Sequence, residues 1–395
     1  MMHFAHEDLP LLDTLQEFMK SHVFPAEKVL EEQLETIPLW TTAPIVEELK
    51  AAARERGLWN LFRDLPNLQY ARIAEVSGWS PHLAPEAMNC AAPDTGNMEV
   101  ISQFGTEAQQ DQWLKPLLEG QIRSAFCMTE PEVASSDASN ITTSIRREGD
   151  EYVIEGRKWF ASGAMNPNCK IFIVMGKSDP DADRHRQQSM ILVPRDTPGI
   201  DVKRSMHVFG FNDGHHGGHA EIVFSGVRVP ASNMIANEGD GFAIAQARLG
   251  PGRIHHCMRL IGMAERALSL MCQRAQSRIA FGKPVAHQGV VMDWIAESRV
   301  RIEQARLLVL KTAWLMDTVG NKGAHTEIQA IKIAVPLMAE WVLDKAIQVH
   351  GGGGVSQEFP LSSLWAAART LRLADGPDEV HKMSLARREL KQYQS

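Results

Sequence analysis

The sequence Phe126-Cys-Met-Thr-Glu-Pro131 opens the segment with the densest chemical signal in the chain. Val133-Ala-Ser-Ser-Asp137 follows, and the segment closes with Glu155-Gly-Arg-Lys-Trp-Phe-Ala-Ser-Gly163. Backbone N–H groups and Ser or Thr hydroxyls in such a segment could meet a flat polar ring or a phosphate, and Trp159 and Phe160 could cover the face of a ring. The pattern predicts a cofactor cradle, although turn serines and core aromatics at the edge of an ordinary β-domain would produce it as well.

Composition limits the classes of protein to which the chain can belong. A chain of 395 residues can hold two or three domains, and 44% hydrophobic with 23% charged residues is typical of a globular protein. The formal net charge of −7 argues against a surface for nucleic acid or anionic membranes. We therefore expect neither as a partner.

Cysteine usage and hydropathy bear on the compartment. The five cysteines are odd in number and widely spaced, and no Cys-x-x-Cys pair occurs, so we expect neither a disulfide framework nor a thiolate zinc site. The segment 1–8 lacks the apolar region of a secretory signal. Because no apolar run approaches the ~20 residues of a membrane span, a reducing cytoplasm is the expected location.

Hydrophobic periodicity changes twice and predicts an α+β fold of three domains in the order α, β, α. In the helical domain 1–124, helices are expected at 9–23, 43–56, 68–77, 85–104 and 107–119. In the domain 125–236, which we predict to be antiparallel and barrel-like, strands are expected at 141–145, 152–154, 171–175, 190–193 and 220–224. In the helical bundle 237–395, helices are expected at 242–249, 253–278, 285–319, 325–349, 361–373 and 378–393.

The run Leu371-Arg-Leu-Ala-Asp-Gly-Pro-Asp-Glu-Val-His381 is the second chemical candidate. Asp375 lies in a Gly-Pro turn between two predicted helices, where a carboxylate can have a raised pKa and act as a base. Its simpler role would be the N-cap of the last helix. Asp378 is better placed for that cap because Val380 begins the periodic run, so Asp375 is predicted to have another role.

Two more segments could bind a cofactor, and each has a simpler explanation. Gly351–Gly354 would allow close backbone approach, but could also just end the preceding helix. No strand precedes these glycines, so a dinucleotide-binding fold is excluded. Arg278 and Lys283 in Arg278-Ile-Ala-Phe-Gly-Lys-Pro284 could bind a pyrophosphate, or could be ordinary basic residues at a helix end.

Histidines form two clusters. His215, His216 and His219 have the spacing His-His-x-x-His, but no cysteine or paired carboxylate supports a metal site there. We expect this loop to line a polar or anionic pocket instead. His255 and His256 follow Gly250-Pro-Gly-Arg253 and lie either on a polar helix face or against an anionic ligand.

In this order, the segments together resemble the acyl-CoA dehydrogenase family over essentially the whole chain. Phe126 to Pro131 matches the family's flavin signature, and Arg278-x-x-Phe281-Gly282 with Gln288 matches its second signature. Gln348-Val-His-Gly-Gly-Gly-Gly354 matches its Gln-x-x-Gly-Gly-x-Gly element. The resemblance implies an N-terminal helical domain, a middle β-domain and a C-terminal four-helix bundle, and is greatest to the branch that contains human family members 10 and 11.

The resemblance also implies bound FAD and α,β-dehydrogenation of an acyl-CoA thioester in fatty-acid β-oxidation, with electrons passed to an electron-transfer flavoprotein. The residues that match the family's FAD contacts are Phe126, Met128, Thr129, Ser135, Phe160, Ser162, Arg278, Phe281, Gln288, Gln348, Gly351, Gly352 and Glu379. The residues that match its substrate contacts are Ser135, Arg253 and Gly376. From Arg278 to Gly352, the matched positions reach the FAD of a neighbouring subunit, so a homodimer or homotetramer is expected.

Asp375 matches the position of the family's catalytic glutamate, counting without gaps from Gln348. The resemblance implies that Asp375 takes the α proton while flavin N5 accepts the β hydride. Asp375-Gly-Pro377 stands in place of the usual Glu-Gly-Thr, and Ala366-Ala367 in place of an Arg-Asp pair. Because Asp is one methylene shorter than Glu, the base has to come about 1 Å closer to the substrate.

Other functions remain open on the sequence. An acyl-CoA oxidase shares the fold and differs in the access of oxygen to reduced flavin. Processing of a 4-hydroxy or 4-phospho acyl-CoA would give the segment 215–219 an additional anionic group to hold. A flavoprotein that binds nucleic acid is disfavoured by the net charge and by the lack of a basic C-terminal run. The length and branching of the acyl chain stay undetermined.

Overall fold

The computed structural model describes residues 10–394, apart from the side chains of residues 249 and 251. The segment 1–8, on which the expectation of no secretory signal rests, lies outside the described residues. Among those that are described, no helix is long and apolar enough to cross a membrane.

The chain divides into two compact units. The first comprises the described parts of residues 1–24, 56–85 and 253–395, and the second comprises residues 25–55 and 86–252. The predicted helical domain 1–124 thus contributes to both units, because its helices pack partly with the C-terminal helices and partly with the sheet. The domain boundaries 1–124, 125–236 and 237–395 stay a prediction.

Helices form most of the chain as far as residue 118, as the periodicity predicts. They are α1 (Pro10–Phe18), α2 (Phe24–Leu34), α3 (Pro44–Glu55), α4 (Leu61–Asp64), α5 (Asn67–Ser77), α6 (Ala84–Ala87), α7 (Asp94–Phe104), α8 (Glu107–Gln109) and α9 (Lys115–Leu118). Met19–Val23 and Gln110–Leu114 are π-helical turns that continue their neighbouring helices. Gly57 follows α3 with φ +70°, and Thr106 begins α8 with a capping box.

The single helix predicted over 85–104 is wrong. The structure has α6 and α7 there, separated by residues 88–93. Pro93 explains the break, because the residue before a proline disfavours the helical conformation. Asn89 in the same connection has a left-handed φ of +52°, which is incompatible with right-handed helical geometry at that residue.

One seven-stranded sheet forms the second unit's core within the described residues. Its strands are β1 (Arg123–Cys127), β2 (Ser144–Glu148), β3 (Glu151–Ser162), β4 (Cys169–Lys177), β5 (Gln188–Pro194), β6 (Ile200–Ser205) and β7 (His219–Pro230). The order is β1-β4-β2-β3-β7-β6, with β5 paired to β4. The buried side chains of this core include Ile154, Phe172 and Ile222.

The sheet differs from the prediction in its direction of pairing. We expected antiparallel strands, but β1 pairs in parallel with β4, as does the first residue of β2, Ser144. The chain between β1 and β4 passes through the β2–β3 hairpin and re-enters beside β1 in the same direction. Two strands were missed: β1 has no β-branched run, and β6 carries charged residues, which are ordinary on an edge strand.

Long helices form the C-terminal part, and the α+β fold class is confirmed. They are α10 (Gly241–Ser277), α11 (Gly289–Gly323), α12 (His325–His350), α13 (Leu361–Thr370) and α14 (Asp378–Lys391). A short hairpin, β8 (Ile279–Ala280) and β9 (Lys283–Pro284), connects α10 to α11. Helical geometry in α11 is interrupted at Gly320, one residue after the predicted end at 319.

The break predicted at Gly250-Pro-Gly252 is wrong, because α10 runs through it as one helix of 37 residues. Ile244 and Ala245 before the tripeptide and Ile254 and Cys257 after it are buried. Burial of apolar side chains on both sides outweighs the low helix propensity of glycine and proline.

Candidate active site

The signature loop, defined here as Phe126 to Pro131, follows β1 and is held by the buried Lys158 of β3. Lys158 Nζ donates to Met128 O at 2.9 Å and to Glu130 Oε1 at 2.8 Å, and its side chain is 0% exposed. The backbone N–H of Trp159 donates to Thr129 O at 3.0 Å. Strand β3 therefore fixes three consecutive residues of the loop and leaves the Thr129 side chain exposed.

Glu130 is the internal anchor of the loop. Its carboxylate accepts the backbone N–H groups of Thr142 at 2.8 Å and Thr143 at 2.9 Å, in addition to the Lys158 bond. Burial acts to raise the pKa of Glu130, but the Lys158 charge and these hydrogen bonds lower it to about 2. Ser135 Oγ accepts the Glu130 N–H at 2.9 Å, so the structure places Ser135 in a buried position that braces the loop.

Aromatic groups lie beside the loop, as the sequence predicts. Phe160 is 44% exposed, with a left-handed φ of +50° at an irregularity in the β3–β7 pairing. Trp159 packs against it with ring centroids 5.1 Å apart, and the buried indole N–H of Trp159 has no hydrogen-bond partner among the described residues. The guanidinium carbon of Arg248 lies over the Phe126 ring, 3.9 Å from the ring centroid. The exposed ring and the unsatisfied N–H fit a flat polar ligand.

Ser162, at the end of β3, contacts a histidine whose partnership the sequence did not reveal. Ser162 Oγ and His219 Nδ1 are 2.8 Å apart, and His219 Nε2 is 2.8 Å from Asp213 Oδ2. Only the cross-strand pairing of Ser162 with His219 could have indicated this. Burial, with the nearby charge of Arg123, lowers the pKa of His216 to about 4, so His216 is neutral and a poor holder of anions.

No group of three or more His, Cys, Asp or Glu side chains in the described part of the chain is arranged to hold a metal ion. The expectation that the segment 215–219 lines a polar or anionic pocket stays a prediction.

The first unit contains Asp375, in the turn between α13 and α14. Asp375 has a left-handed φ of +57°, and Gly376 has φ +103°. Lys332 of α12 donates to Ala374 O at 2.9 Å and also to Leu371 O. Arg253 of α10 donates to Asp375 O at 3.2 Å, and His381 Nε2 is 3.0 Å from Gly376 O. Side chains of three helices thus hold the backbone on which the carboxylate is mounted.

His256 lies against the Asp375 carboxylate. Its Nε2 is 3.6 Å from Asp375 Oδ2, and the two side chains are 20% and 16% exposed. Arg259 Nη2 is 3.4 Å from His256 Nδ1, and since a guanidinium can only donate, the proton of a neutral His256 lies on Nε2, towards Asp375. The sequence suggested that His256 could contact an anionic ligand, and the anion that it contacts in the structure is the carboxylate of the candidate base.

His255, its neighbour in sequence, has a different environment. Its ring packs edge-on against Tyr70 with centroids 4.8 Å apart and also against Phe62. Burial, followed by the charge of Arg259, lowers the pKa of His255 to about 3. It is therefore a neutral core residue.

The predicted cap of α14 is wrong. Pro377 occupies the N-cap, and Asp378 begins the helix without a side-chain capping bond. The Asp378 carboxylate is buried and accepts Arg372 Nε at 2.8 Å, an ion pair that spacing alone did not suggest. Glu379, predicted to contact FAD, is exposed in the first turn of α14.

A third group of predicted residues surrounds the end of α12. Arg278 Nη1 donates to His350 O at 3.0 Å, and Gly351 has a left-handed φ of +64°. A Cβ at Gly351 would lie 3.0 Å from Arg278 Nη1, so only glycine leaves this cradle open. Gln348 and Gly352 are exposed, and Gln288 precedes the first turn of α11. Phe281, at the tip of the β8–β9 hairpin, is 99% exposed.

The chain is similar to known proteins along most of its length. Residues 125–227 match the family model for the acyl-CoA dehydrogenase middle domain, and residues 239–390 match that for its C-terminal domain. The probable acyl-CoA dehydrogenase FadE2 of Mycobacterium tuberculosis is 58% identical over 387 residues, which cover 96% of this chain and 95% of that protein.

Two further similarities extend this result. Acyl-CoA dehydrogenase family member 11 of Gallus gallus is 57% identical over 385 residues, covering 95% of this chain but 49% of that protein. The chain thus spans about half the length of that relative. A solved structure of an acyl-CoA dehydrogenase homologue from Mycobacterium abscessus has a TM-score of 0.95 and 51% sequence identity, and 98% of each chain is covered.

Proposed function

We propose, because this chain belongs to the acyl-CoA dehydrogenase family, that it oxidises an acyl-CoA thioester to the α,β-unsaturated thioester with bound FAD. The resemblance stated from the sequence, including the branch with family members 10 and 11, is confirmed. The chain is accordingly a flavoprotein oxidoreductase, and members of its family bind FAD.

The signature loop and β3 are proposed to hold the flavin ring. Thr129 and Ser162 would hydrogen-bond it, Phe160 would lie against it, and Phe126, Met128 and the braced Ser135 would shape the surroundings. The half-exposed Phe160 and the unsatisfied indole N–H of Trp159 support this assignment. When bound, FAD supplies the hydride acceptor of the reaction.

The residues around the end of α12 are proposed to hold the FAD of a second copy of the chain. Arg278 beside the open cradle at Gly351 would meet a phosphate, and Phe281 would lose its exposure on assembly. Gln288, Gln348 and Gly352 would complete this contact, and Glu379 would contact FAD separately, from the first turn of α14. A homodimer or homotetramer follows, since each site would then need a residue from another subunit.

Asp375 is the proposed base, and its placement is the observation that carries the function. The carboxylate is shielded, faces the His256 imidazole, and is mounted on a backbone that Lys332, Arg253 and His381 hold. Such support would position a base at the α carbon of a bound thioester, whose carbonyl acidifies the α C–H. The left-handed turn at Asp375 and Gly376 would compensate for the methylene that Asp lacks relative to Glu.

The remaining chain groups are proposed to assist that proton transfer. The backbone N–H of Gly376 would donate to the thioester carbonyl and stabilise the enolate that develops as the proton leaves. Arg253 would position Asp375 through its carbonyl and line the substrate site. The His256 Nε2–H would stabilise the Asp375 carboxylate before it takes the proton.

The test is Asp375→Asn, compared with Asp201→Asn on the exposed edge strand β6. We expect both variants to purify yellow with bound FAD. Under anaerobic conditions, an acyl-CoA panel graded in chain length and 4-substitution should bleach the flavin of Asp201→Asn but not that of Asp375→Asn. Full bleaching of Asp375→Asn would contradict the assignment of the base, and failure of every acyl-CoA to bleach the wild type would contradict the function.

An electron-transfer flavoprotein is the proposed acceptor of the electrons. Turnover that needs this protein or an artificial acceptor would support the proposal, whereas equal turnover under air with release of hydrogen peroxide would identify an oxidase. The cytoplasmic location and the place in β-oxidation remain predictions from the sequence and the family.

A further inference from the structure

Three polar side chains of the second unit, those of Asp213, His219 and Ser162, are connected by hydrogen bonds. Asp213 Oδ2 is 2.8 Å from His219 Nε2, and His219 Nδ1 is 2.8 Å from Ser162 Oγ. The Asp213 and His219 side chains are 25% and 16% exposed. The His219 ring is tilted against Phe160 with centroids 6.4 Å apart. One hydrogen-bonded chain therefore runs from Asp213 to the Ser162 hydroxyl and contacts the half-exposed Phe160 ring through His219.

The fold builds this line from distant parts of the sequence. Ser162 and His219 are direct cross-strand partners in β3 and β7. Asp213 is brought back by a tight turn, in which Asp213 itself has φ +51° and its carbonyl accepts the N–H groups of His216 and Gly218. Only glycine fits at Gly218, where a Cβ would lie 2.4 Å from Ser205 Oγ. The backbone conformation of this turn thus brings Asp213 close to His219.

The direction of the hydrogen bonds follows from the chemistry of the groups. An ionised carboxylate can only accept, so Asp213 selects the His219 tautomer with its proton on Nε2. Nδ1 is then a bare acceptor, and the single proton of the Ser162 hydroxyl points towards it. Ser162 is left with lone pairs only on its other side.

We infer that His219, oriented by Asp213, is a positioning residue that makes Ser162 a pure hydrogen-bond acceptor towards the flavin ring. The inference rests on the proposed contact of Ser162 with FAD. Reduction of a flavin turns an acceptor nitrogen of the ring into an N–H donor, which an acceptor hydroxyl receives and a donor hydroxyl does not. The Asp213–His219 pair therefore favours binding of reduced FAD over oxidised FAD.

Charged neighbours do not change this direction. The charged groups that act on the neighbouring His216 are Arg123, Glu86 and Asp213, with His219 beside them. His216 is neutral, and Arg123 is paired with Glu86 and with Asp94, in the latter case at 2.6 Å. Asp213 is thus the charge in direct contact with His219, and it fixes the Nε2 proton.

The experiment compares dissociation constants for oxidised and for dithionite-reduced FAD, measured anaerobically. His219→Phe removes the acceptor and frees the Ser162 proton for the ring. We expect the affinity for reduced FAD to fall about tenfold relative to the affinity for oxidised FAD, because one hydrogen bond is lost. This change corresponds to a shift of about 30 mV in the two-electron reduction potential of the bound flavin. His207→Phe, at an exposed position outside the cluster, should leave the ratio unchanged.

A double variant separates positioning from a merely structural role. If His219 acts through Ser162, then Ser162→Ala and Ser162→Ala/His219→Phe should have the same affinity ratio. A structural role would instead weaken both redox forms equally, and an unchanged ratio in His219→Phe would overturn the inference. So would a further shift in the double variant.

Nitrogen NMR of the histidine rings, recorded without FAD, reports which nitrogen of His219 carries the proton. This measurement on the wild type depends neither on the folding of a variant nor on the proposed function. We expect His219 in the wild type to show an unprotonated Nδ1 and a protonated Nε2. Asp213→Asn should raise the fraction with protonated Nδ1 and move the affinity ratio in the same direction as His219→Phe. Wild-type His219 with a protonated Nδ1, or Asp213→Asn without effect on spectrum and ratio, would overturn the inference. A wild type that binds no FAD would instead refute the proposed function.

Discussion

Replacing Lys158 with Met should destabilise the protein severely, because it leaves the Glu130 carboxylate buried without its cation. The two side chains are 0% and 1% exposed, and their Nζ and Oε1 atoms are 2.8 Å apart. The Met side chain fills a similar volume, so the variant tests the charge and the hydrogen bonds more than packing. It also removes the donor to Met128 O and so loosens the signature loop.

The magnitude follows from two independent estimates. Removing one partner of a buried ion pair typically costs about 3–5 kcal/mol. The pKa of Glu130 falls from an ordinary 4.5 to about 2, which corresponds to about 3 kcal/mol of stabilisation of the charged form. Because the folded pKa is lowered, this contribution is fully present above about pH 4.5 and is lost as the pH falls through 2. We therefore expect a loss of about 3–4 kcal/mol at pH 7.

Urea denaturation at pH 7 measures the free energy of unfolding of each variant. The matched control is Arg157→Met on the same strand, whose side chain is 43% exposed and whose loss should cost at most about 1 kcal/mol. Lys158→Met/Glu130→Gln should recover at least about 1 kcal/mol relative to Lys158→Met, because the unpaired charge is gone. A loss below about 1 kcal/mol in Lys158→Met, or a double variant as unstable as the sum of the single changes, would refute the reasoning.

Two further predictions concern the base and a buried carboxyl. Lys332→Met removes the hydrogen bonds to Leu371 O and Ala374 O, so kcat/KM should fall about 100-fold while the affinity for FAD is unchanged; full activity would contradict the positioning role. Burial, only partly offset by Arg248, raises the pKa of Glu99 to about 7. The associated stabilisation is present below about pH 4.5 and is lost as the pH rises through 7, so Glu99→Gln should reduce the fall in unfolding free energy between pH 5 and pH 8 by about 2 kcal/mol. The exposed Glu107→Gln is the control, and equal pH profiles for Glu99→Gln and the wild type would contradict the prediction.

Much of the fold could be predicted because its signals are local. The helical and strand periods, the capping box at Thr106 and the left-handed stop at Gly57 depend on residues a few positions apart. The helix through Gly250-Pro-Gly252 was mispredicted for the same reason. Local propensity disfavours it, and the burial that stabilises it comes from side chains distant in sequence.

The candidate site divides along the same line. The sequence by itself determined the family and the cofactor, and it indicated Asp375 as the candidate base, because contiguous motifs carry these signals. Only the tertiary structure decided which groups those residues meet: His256 beside Asp375, Lys158 under the signature loop, and His219 between Ser162 and Asp213. A one-residue change in the β3–β7 register would turn His219 to the other face of the sheet, and no periodicity records that register. Hydrogen bonds between distant residues depend on strand register and helix packing, which the whole chain determines together.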